Sequence, residues 1–186
     1  MTTPANVPLS EMVQHSIKVL TKPSVQTFEE FENRGSLRDA LIYVAIGAAA
    51  IGLLGLANGL PAAIGGVIST VLGFFVFTYV VQFVGKAQGG TGTLDQVAFT
   101  FSLFVIPLQI VAAVIGLILT ITVIGILLLP LLGLAALAVS AFFAYTAIQS
   151  SMNMTDSTKV VITLIAGVLA SIVVSGIITS LFVRGS

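Results

Sequence analysis

A charge-free run of 60 residues, from Gln96 to Thr155, constrains this chain more than any other feature of its sequence. As one helix the run would be roughly 90 Å long, because each residue adds about 1.5 Å. The hydrocarbon core of a bilayer is only about 30 Å thick, so the run predicts two membrane crossings joined by a turn. The charge-free run Ala40–Gly85 predicts two more crossings, and Val160–Val183 is long enough for one.

These runs predict an all-α fold, an integral membrane bundle of five transmembrane helices with a short amphipathic N-terminal segment. Only 8% of the residues are charged, against roughly 25% in soluble domains. We predict a cytoplasmic segment over residues 1–36 and a transmembrane domain over residues 37–186. The turn between the third and fourth helices is the least sharply defined, because residues 120–124 are apolar. The five helices are predicted at 37–57, 62–85, 94–119, 125–149 and 159–183.

The N-terminal segment contains an amphipathic pattern. Ser10 is a candidate helix cap, and Pro23 suits the first turn of a second short helix. The pattern is typical of a helix that lies on a membrane surface or on a partner, and equally of a helix that caps the bundle. One face of the first helix is polar and includes His15, interpreted as a polar-face residue. The other face is apolar and carries Leu9, Met12, Val13, Ile17 and Leu20.

The first transmembrane helix has a cap signal and an orientation signal. Ser36 and Asp39 have the spacing of a capping box.

With five crossings, six of the seven Lys and Arg residues share the N-terminal side of the membrane, and only Arg184 lies opposite. Basic residues favour the cytoplasmic side, which predicts a cytoplasmic N-terminus and an exoplasmic C-terminus. Because the first apolar run starts near Ala40, no cleavable signal peptide is expected.

Small side chains recur every four residues on two of the predicted helices. In lipid, such residues let helices approach closely, whereas apolar contact alone gives little net attraction. We therefore predict that these residues lie at helix–helix contacts within the bundle, and a homodimer interface is the alternative. The residues are Ala48 and Gly52 in the first helix and Gly167, Ser171 and Ser175 in the fifth.

Two prolines fall inside the third and fourth predicted helices. Pro107 removes a backbone hydrogen bond and favours a kink, with Gln109 two residues further on. Pro130 predicts a similar kink in the fourth helix. Such kinks can open space for a ligand or a lipid, or they can be purely structural.

Several functional classes are disfavoured by composition. There is no cysteine and a single histidine, which excludes thiolate and multi-histidine metal sites. No charged residue lies deep in a crossing, whereas proton-coupled transporters usually need one. The glycine-rich stretch 89–93 lacks the pattern of a phosphate-binding loop, and the formal net charge of zero does not suggest nucleic-acid binding. We expect a non-enzyme without catalytic residues, metal or cofactors.

In the segment 19–28 Pro23 precedes Phe28, and the glycine-rich segment 89–96 is followed soon after by Pro107. In these two segments the chain resembles the YIP domain family of five-span membrane proteins. Eukaryotic members reside in the Golgi and endoplasmic reticulum, bind prenylated GTPases and each other, and act in vesicle traffic and membrane shaping. The short N-terminal segment here departs from theirs and makes GTPase binding doubtful. The alanine- and glycine-rich helices without tryptophan indicate a prokaryotic cytoplasmic membrane.

Three functions remain as hypotheses. The first, which the resemblance favours, is a scaffold that organises the lipid bilayer or recruits partners through its cytoplasmic face. The second is an accessory subunit of a larger membrane complex. The expected partners are other membrane proteins or further copies of this chain, and self-association alone would favour the scaffold. The third, disfavoured by the lack of buried charge, is a small-molecule or lipid transporter that uses the proline-containing helices.

Overall fold

The computed structural model describes residues 6–183, leaving aside the side chains of residues 57, 58, 62, 179, 182 and 183. Arg184, which the orientation prediction assigned to the opposite side, lies outside the described residues. The described chain contains helices and no strand. A short 3-10 turn, Gly55–Asn58, extends the third helix. The α-helices are α1 (Leu9–Thr21), α2 (Val25–Glu29), α3 (Leu37–Leu54), α4 (Leu60–Ala87), α5 (Leu94–Thr120), α6 (Val123–Ser151) and α7 (Ser157–Val183).

Five of these helices, α3 to α7, are long and apolar enough to cross a membrane. The predicted all-α bundle of five spans with a short N-terminal segment is therefore confirmed. The two short helices α1 and α2 precede the first span. Both lie at the same end of the bundle as the loops 88–93 and 152–156, because two spans separate them from the first loop and four from the second.

Side-chain caps mark the starts of α3, α5 and α6, whereas α1 and α4 begin without one. The predicted capping box is confirmed, because the Ser36 hydroxyl accepts from the Asp39 N–H and the Asp39 carboxylate accepts from the Ser36 N–H. Thr93 and Gln96 form a second capping box, at the start of α5, that the sequence reading missed. The Thr122 hydroxyl accepts from the Gly125 N–H at 2.9 Å, so α6 begins two residues before its predicted start.

Two predictions for the N-terminal helices were wrong, the cap at Ser10 and the place of Pro23 in a first turn. Pro8, not Ser10, occupies the N-cap position of α1, and it provides no side-chain hydrogen bond there. Pro23 lies before α2 instead of within its first turn. Ser24 is the N-cap, because its hydroxyl accepts from the backbone N–H of Thr27 at 3.2 Å.

The five spans pack as two helix pairs bridged by α3. The most extensive contact joins α4 to α7, and α5 pairs with α6. The helix α3 packs against both α5 and α4, whereas α4 meets α5, and α6 meets α7, over much smaller contacts. This arrangement leaves space between the α4–α7 pair and the α5–α6 pair.

Small residues lie where the helices approach each other. A Cβ atom on Gly52 of α3 would come within 2.8 Å of the Val67 side chain of α4. On Gly167 of α7 it would come within 2.9 Å of Phe77 and 2.8 Å of Val81, both on α4. Glycine at these positions thus permits the observed separation between neighbouring helices.

Candidate functional site

Three segments distant in sequence meet at one end of the bundle, and we call them together the polar cap: residues 6–36, 88–93 and 152–156. The Asp95 carboxylate accepts from the backbone N–H of Leu37 at 2.7 Å, which ties the start of α3 to the start of α5. The Gln96 amide donates to Asn33 Oδ1 at 2.8 Å, which joins the N-terminal segment to α5. These bonds hold the polar cap against the spans.

The two loops of the polar cap are also bonded to each other. The Thr91 N–H donates to the Met152 carbonyl at 3.0 Å, and the Asn153 amide donates to the Thr91 hydroxyl at 3.0 Å. Gly92 has no Cβ where it passes the Ser151 carbonyl, and a Cβ there would overlap that carbonyl. The glycine-rich stretch is thus a structural contact between loops in this protein.

Helix α1 is docked onto the bundle along one side. Met12 is 2% exposed, and Ser16 and Val19 are also buried. The Ser16 hydroxyl is hydrogen-bonded to the Tyr43 hydroxyl of α3 at 3.0 Å. The Lys18 ammonium donates to both carboxylate oxygens of Glu30 at 2.7 Å and connects α1 to the end of α2.

The predicted apolar face of α1 is divided by this docking. Met12 belongs to the protein core, and Leu20 is half-buried against it. Leu9, Val13 and Ile17 are 43%, 43% and 56% exposed, and we call these three the apolar row. Because they are spaced by four residues, they form one stripe along the helix. The structure therefore shows a helix that caps the bundle and still leaves an unpaired apolar row.

The interpretation of His15 as a polar-face residue was wrong. Its side chain is buried, and its ring stacks on Phe31 with the ring centres 4.2 Å apart. The face of α1 that docks is rotated toward His15 because Phe31 and Phe99 provide aromatic surface there. Burial is the main cause that lowers the pKa of His15, and the carboxylate of Glu11, 3.5 Å from Nε2, opposes this effect.

Glu32 is a buried carboxylate that the sequence reading did not single out. It is 7% exposed, and its Oε2 accepts from the Ser150 hydroxyl of α6 at 2.9 Å. Asn33 donates to its other carboxylate oxygen at 3.3 Å. Burial raises the pKa of Glu32, and the hydrogen bond from Ser150 partly opposes that shift. Only its position next to the break at residues 33–36 could have suggested an interface role.

The short helix α2 anchors the polar cap in the core. Phe28 is fully buried and meets Phe104 of α5 and Phe143 of α6 edge-on, at ring-centre distances of 6.0 and 6.5 Å. Edge-to-face contacts of this kind are favourable beyond the area they bury. The polar cap is therefore fixed to the spans by the contacts of the buried Phe28 ring with α5 and α6.

The predicted kink residues lie on helices that stay continuous, since α5 runs through Pro107 and α6 runs through Pro130. Gln109 lines a cavity of about 400 Å³ between the two helix pairs, whereas neither proline lines it. Two of the predicted packing residues, Ser171 and Ser175, line the same cavity. Ala48 is buried in α3, 2% exposed.

The described residues contain no group of three or more His, Cys, Asp or Glu side chains that could hold a metal ion. The polar atoms of the polar cap bond to one another and to the neighbouring spans, and these bonds position the helices. The hydroxyls of Ser36 and Ser150 donate to the carboxylates of Asp39 and Glu32.

Comparison with known protein families identifies the family of the chain. The family model of the Yip1 domain matches residues 17–178. The chain belongs to the Yip1 domain family. No curated protein and no solved structure matched the chain.

The Yip1 domain match begins within α1 and ends within α7, so it includes α2, both loops of the polar cap and all five spans. Together with the five apolar helices, it shows a multi-pass integral membrane protein. Of the apolar row, Ile17 is the first matched residue, and Leu9 and Val13 precede the match.

Proposed function

We propose that this Yip1 domain protein is a non-enzymatic scaffold that organises the membrane, with the apolar row of α1 inserted into the cytoplasmic leaflet. One observation carries the proposal: α1 is fixed to the bundle by its buried side while Leu9, Val13 and Ile17 remain exposed in a single stripe. An amphipathic helix with such a stripe binds at the boundary between headgroups and acyl chains.

The fixed attachment distinguishes α1 from a free amphipathic tail. The hydrogen bond between Ser16 and Tyr43 and the ion pair between Lys18 and Glu30 hold α1 at a set position relative to the spans. A helix inserted at a fixed distance from the bundle displaces lipid in one leaflet only. The effect expected of such a protein is local deformation of the membrane.

Lipid insertion can be tested by spin labelling, because the chain has no cysteine that would compete for the label. A nitroxide at Val13→Cys should be shielded from a water-soluble nickel relaxant and accessible to oxygen in proteoliposomes. The matched control is Gln14→Cys, one residue away on the exposed polar side. Equal nickel access at both positions would contradict insertion and favour a soluble protein partner for the row.

Membrane deformation can be tested by electron microscopy of proteoliposomes. The triple variant Leu9→Ser, Val13→Ser, Ile17→Ser should leave vesicles undeformed at a protein density at which the native protein curves them. A variant with alanine at Ser10, Gln14 and Thr21, all exposed on the same helix, serves as the control. Identical vesicle shapes for the native protein and the triple variant would overturn the proposal.

The proposal requires the polar cap to be cytoplasmic. Five described basic residues lie in this cap or at the helix ends next to it, and a sixth, Lys159, lies in the first turn of α7. In sealed inverted vesicles, Ser10→Cys should react with an impermeant maleimide, and Ile121→Cys, 78% exposed at the opposite turn, should not. The reverse labelling pattern would place the apolar row in the exoplasmic leaflet.

The hypothesis of an accessory subunit predicts a different result. Purified in mild detergent, a subunit should migrate with a stoichiometric set of other membrane proteins. A scaffold should migrate alone or with further copies of itself.

A further inference from the structure

The cavity between the two helix pairs lies at the middle of the spans. Its lining comes from four helices: residues 69–77 of α4, 101–109 of α5, 137–144 of α6 and 164–175 of α7. Each stretch is central in its helix, so the cavity is at bilayer depth and not at the water surface. Its volume of about 400 Å³ is within the range of roughly 300–1,000 Å³ found for ligand sites.

The lining is amphipathic and carries no charged side chain. Four phenylalanines form most of its aromatic surface. Six polar side chains face the same space: Ser69, Thr70, Gln109, Ser140, Ser171 and Ser175. An ordinary lipid-facing groove needs only apolar side chains, so this group of polar atoms requires a separate explanation.

The hydrogen bonds of these groups differ. The Thr70 hydroxyl donates to the Gly66 carbonyl and the Ser171 hydroxyl to the Val168 carbonyl, each at 2.9 Å. Within the described part of the chain, no side-chain hydrogen bond joins the other four, Ser69, Gln109, Ser140 and Ser175, to a neighbour. Hydrocarbon offers these donors no acceptor, and an unpaired polar group at that depth is unfavourable.

We propose that this cavity binds an uncharged lipid whose oxygen atoms enter the bilayer core, such as a diacylglycerol. Ester carbonyls would accept from Gln109, Ser140 and Ser175, and an acyl chain would lie against the phenylalanines. A phospholipid headgroup does not fit, because a charge near the bilayer centre costs on the order of 3 kcal/mol or more and the lining holds no opposite charge. This site does not depend on the apolar row of α1.

The test is photolabelling in phosphatidylcholine proteoliposomes with a diacylglycerol that carries a diazirine in its acyl chain. The probe should label peptides of the α4 and α5 lining, which carry the phenylalanines, and excess unlabelled diacylglycerol should compete saturably. Competition by added phosphatidylcholine that matches that by diacylglycerol, or labelling confined to residues outside the four lining stretches, would overturn the proposal.

Two variants test the polar contacts separately. Gln109→Leu should weaken competition by diacylglycerol about threefold to tenfold, the effect of losing one hydrogen bond. Gln82→Leu is the matched control, because Gln82 is a half-buried glutamine of α4 outside the lining, and it should have no effect. Ser140→Ala provides a second, smaller change if Gln109→Leu does not fold. Unchanged competition in the folded variants would contradict a site for an oxygen-bearing lipid.

Discussion

The half of the bundle next to the polar cap and the half farthest from it differ sharply in packing. On α5, Leu103 is fully buried near the cap, whereas Leu117, fourteen residues later on the same helix, is 50% exposed. On α6, Ile148 is fully buried near the cap, and Leu127 at the far end is 73% exposed. The far half is the more apolar in sequence, since polar residues such as Thr100, Ser102 and Thr146 lie in the cap half, so hydrophobicity alone does not decide which side chains meet protein.

This difference in packing follows from what covers each half of the bundle, lipid or protein. In lipid, contact between apolar helices gives little net attraction, so α5 and α6 can leave their far ends to the acyl chains. At the cap end, α1, α2 and two loops are held by polar bonds, and they enclose an aromatic core. The polar cap thus makes one half of a membrane bundle pack like a soluble protein.

The largest expected effect on stability comes from making the same kind of substitution, leucine to alanine, in each half of the bundle. Leu103→Ala should destabilise the fold by about 2 kcal/mol or more, because it leaves a cavity inside packed protein. Leu117→Ala should change stability by less than about 0.5 kcal/mol, because lipid fills the space. Unfolding in mixed detergent micelles measures both, and similar losses for the two variants would remove the proposed distinction.

A second test concerns the contact between the two cap loops. Gly92→Ala should destabilise by about 1–3 kcal/mol, because its Cβ would overlap the rigid Ser151 carbonyl and force the loops apart. Gly133→Ala on α6 is the control, since a Cβ there meets nothing within 4 Å. It should be neutral or slightly stabilising, as alanine favours helices over glycine. Thermal unfolding in detergent compares the two, and a neutral Gly92→Ala would show that the loops separate at little cost.

Much of the fold was predictable because its signals are local. A charge-free run specifies crossings by length alone, and the cap at Ser36 needs only the residue three positions later. The rotation of α1 was not predictable, because it depends on Phe31 and Phe99, which come from other segments. For that reason, His15 was assigned to the wrong face.

The candidate site was less predictable than the fold. The burial of Glu32 depends on Ser150, 118 residues away, and no local pattern announces such a pair. The sequence alone identified Gln109 as a polar side chain within a membrane span. Its companions in the cavity come from four helices, and their grouping requires the pairing of α4 with α7 and of α5 with α6.

A third, smaller effect is expected at that long-range pair. Ser150→Ala should destabilise by about 1–2 kcal/mol, because it leaves a buried Glu32 carboxylate oxygen without its donor. In the Glu32→Gln background the same change should cost less, since no buried charge then needs the bond. A double-mutant cycle measures this coupling, and strictly additive effects would show that the two side chains do not interact.

The smallest expected effect is the pH dependence of α1 docking through His15. Burial lowers the pKa of His15 below its ordinary value of 6.5, so the unfolded chain binds the proton more tightly than the folded one. Stability contributed by neutral His15 is therefore present above pH 6.5 and is lost as the pH falls through 6.5 toward the lower folded pKa. Glu11 and Glu30 oppose the shift, and Lys18 and Arg34 add to it.

The stability contributed by Glu32 changes with pH in the opposite direction, so Glu32 is replaced before the effect of His15 is measured. Its raised pKa means that lowering the pH through that pKa stabilises the fold. In a Glu32→Gln background, thermal unfolding and amide exchange of α1 should show weakening as the pH falls through 6.5. His15→Phe keeps a ring to stack on Phe31 and should flatten the dependence. A slope that survives this substitution would assign the titration to another group and leave His15 with a packing role only.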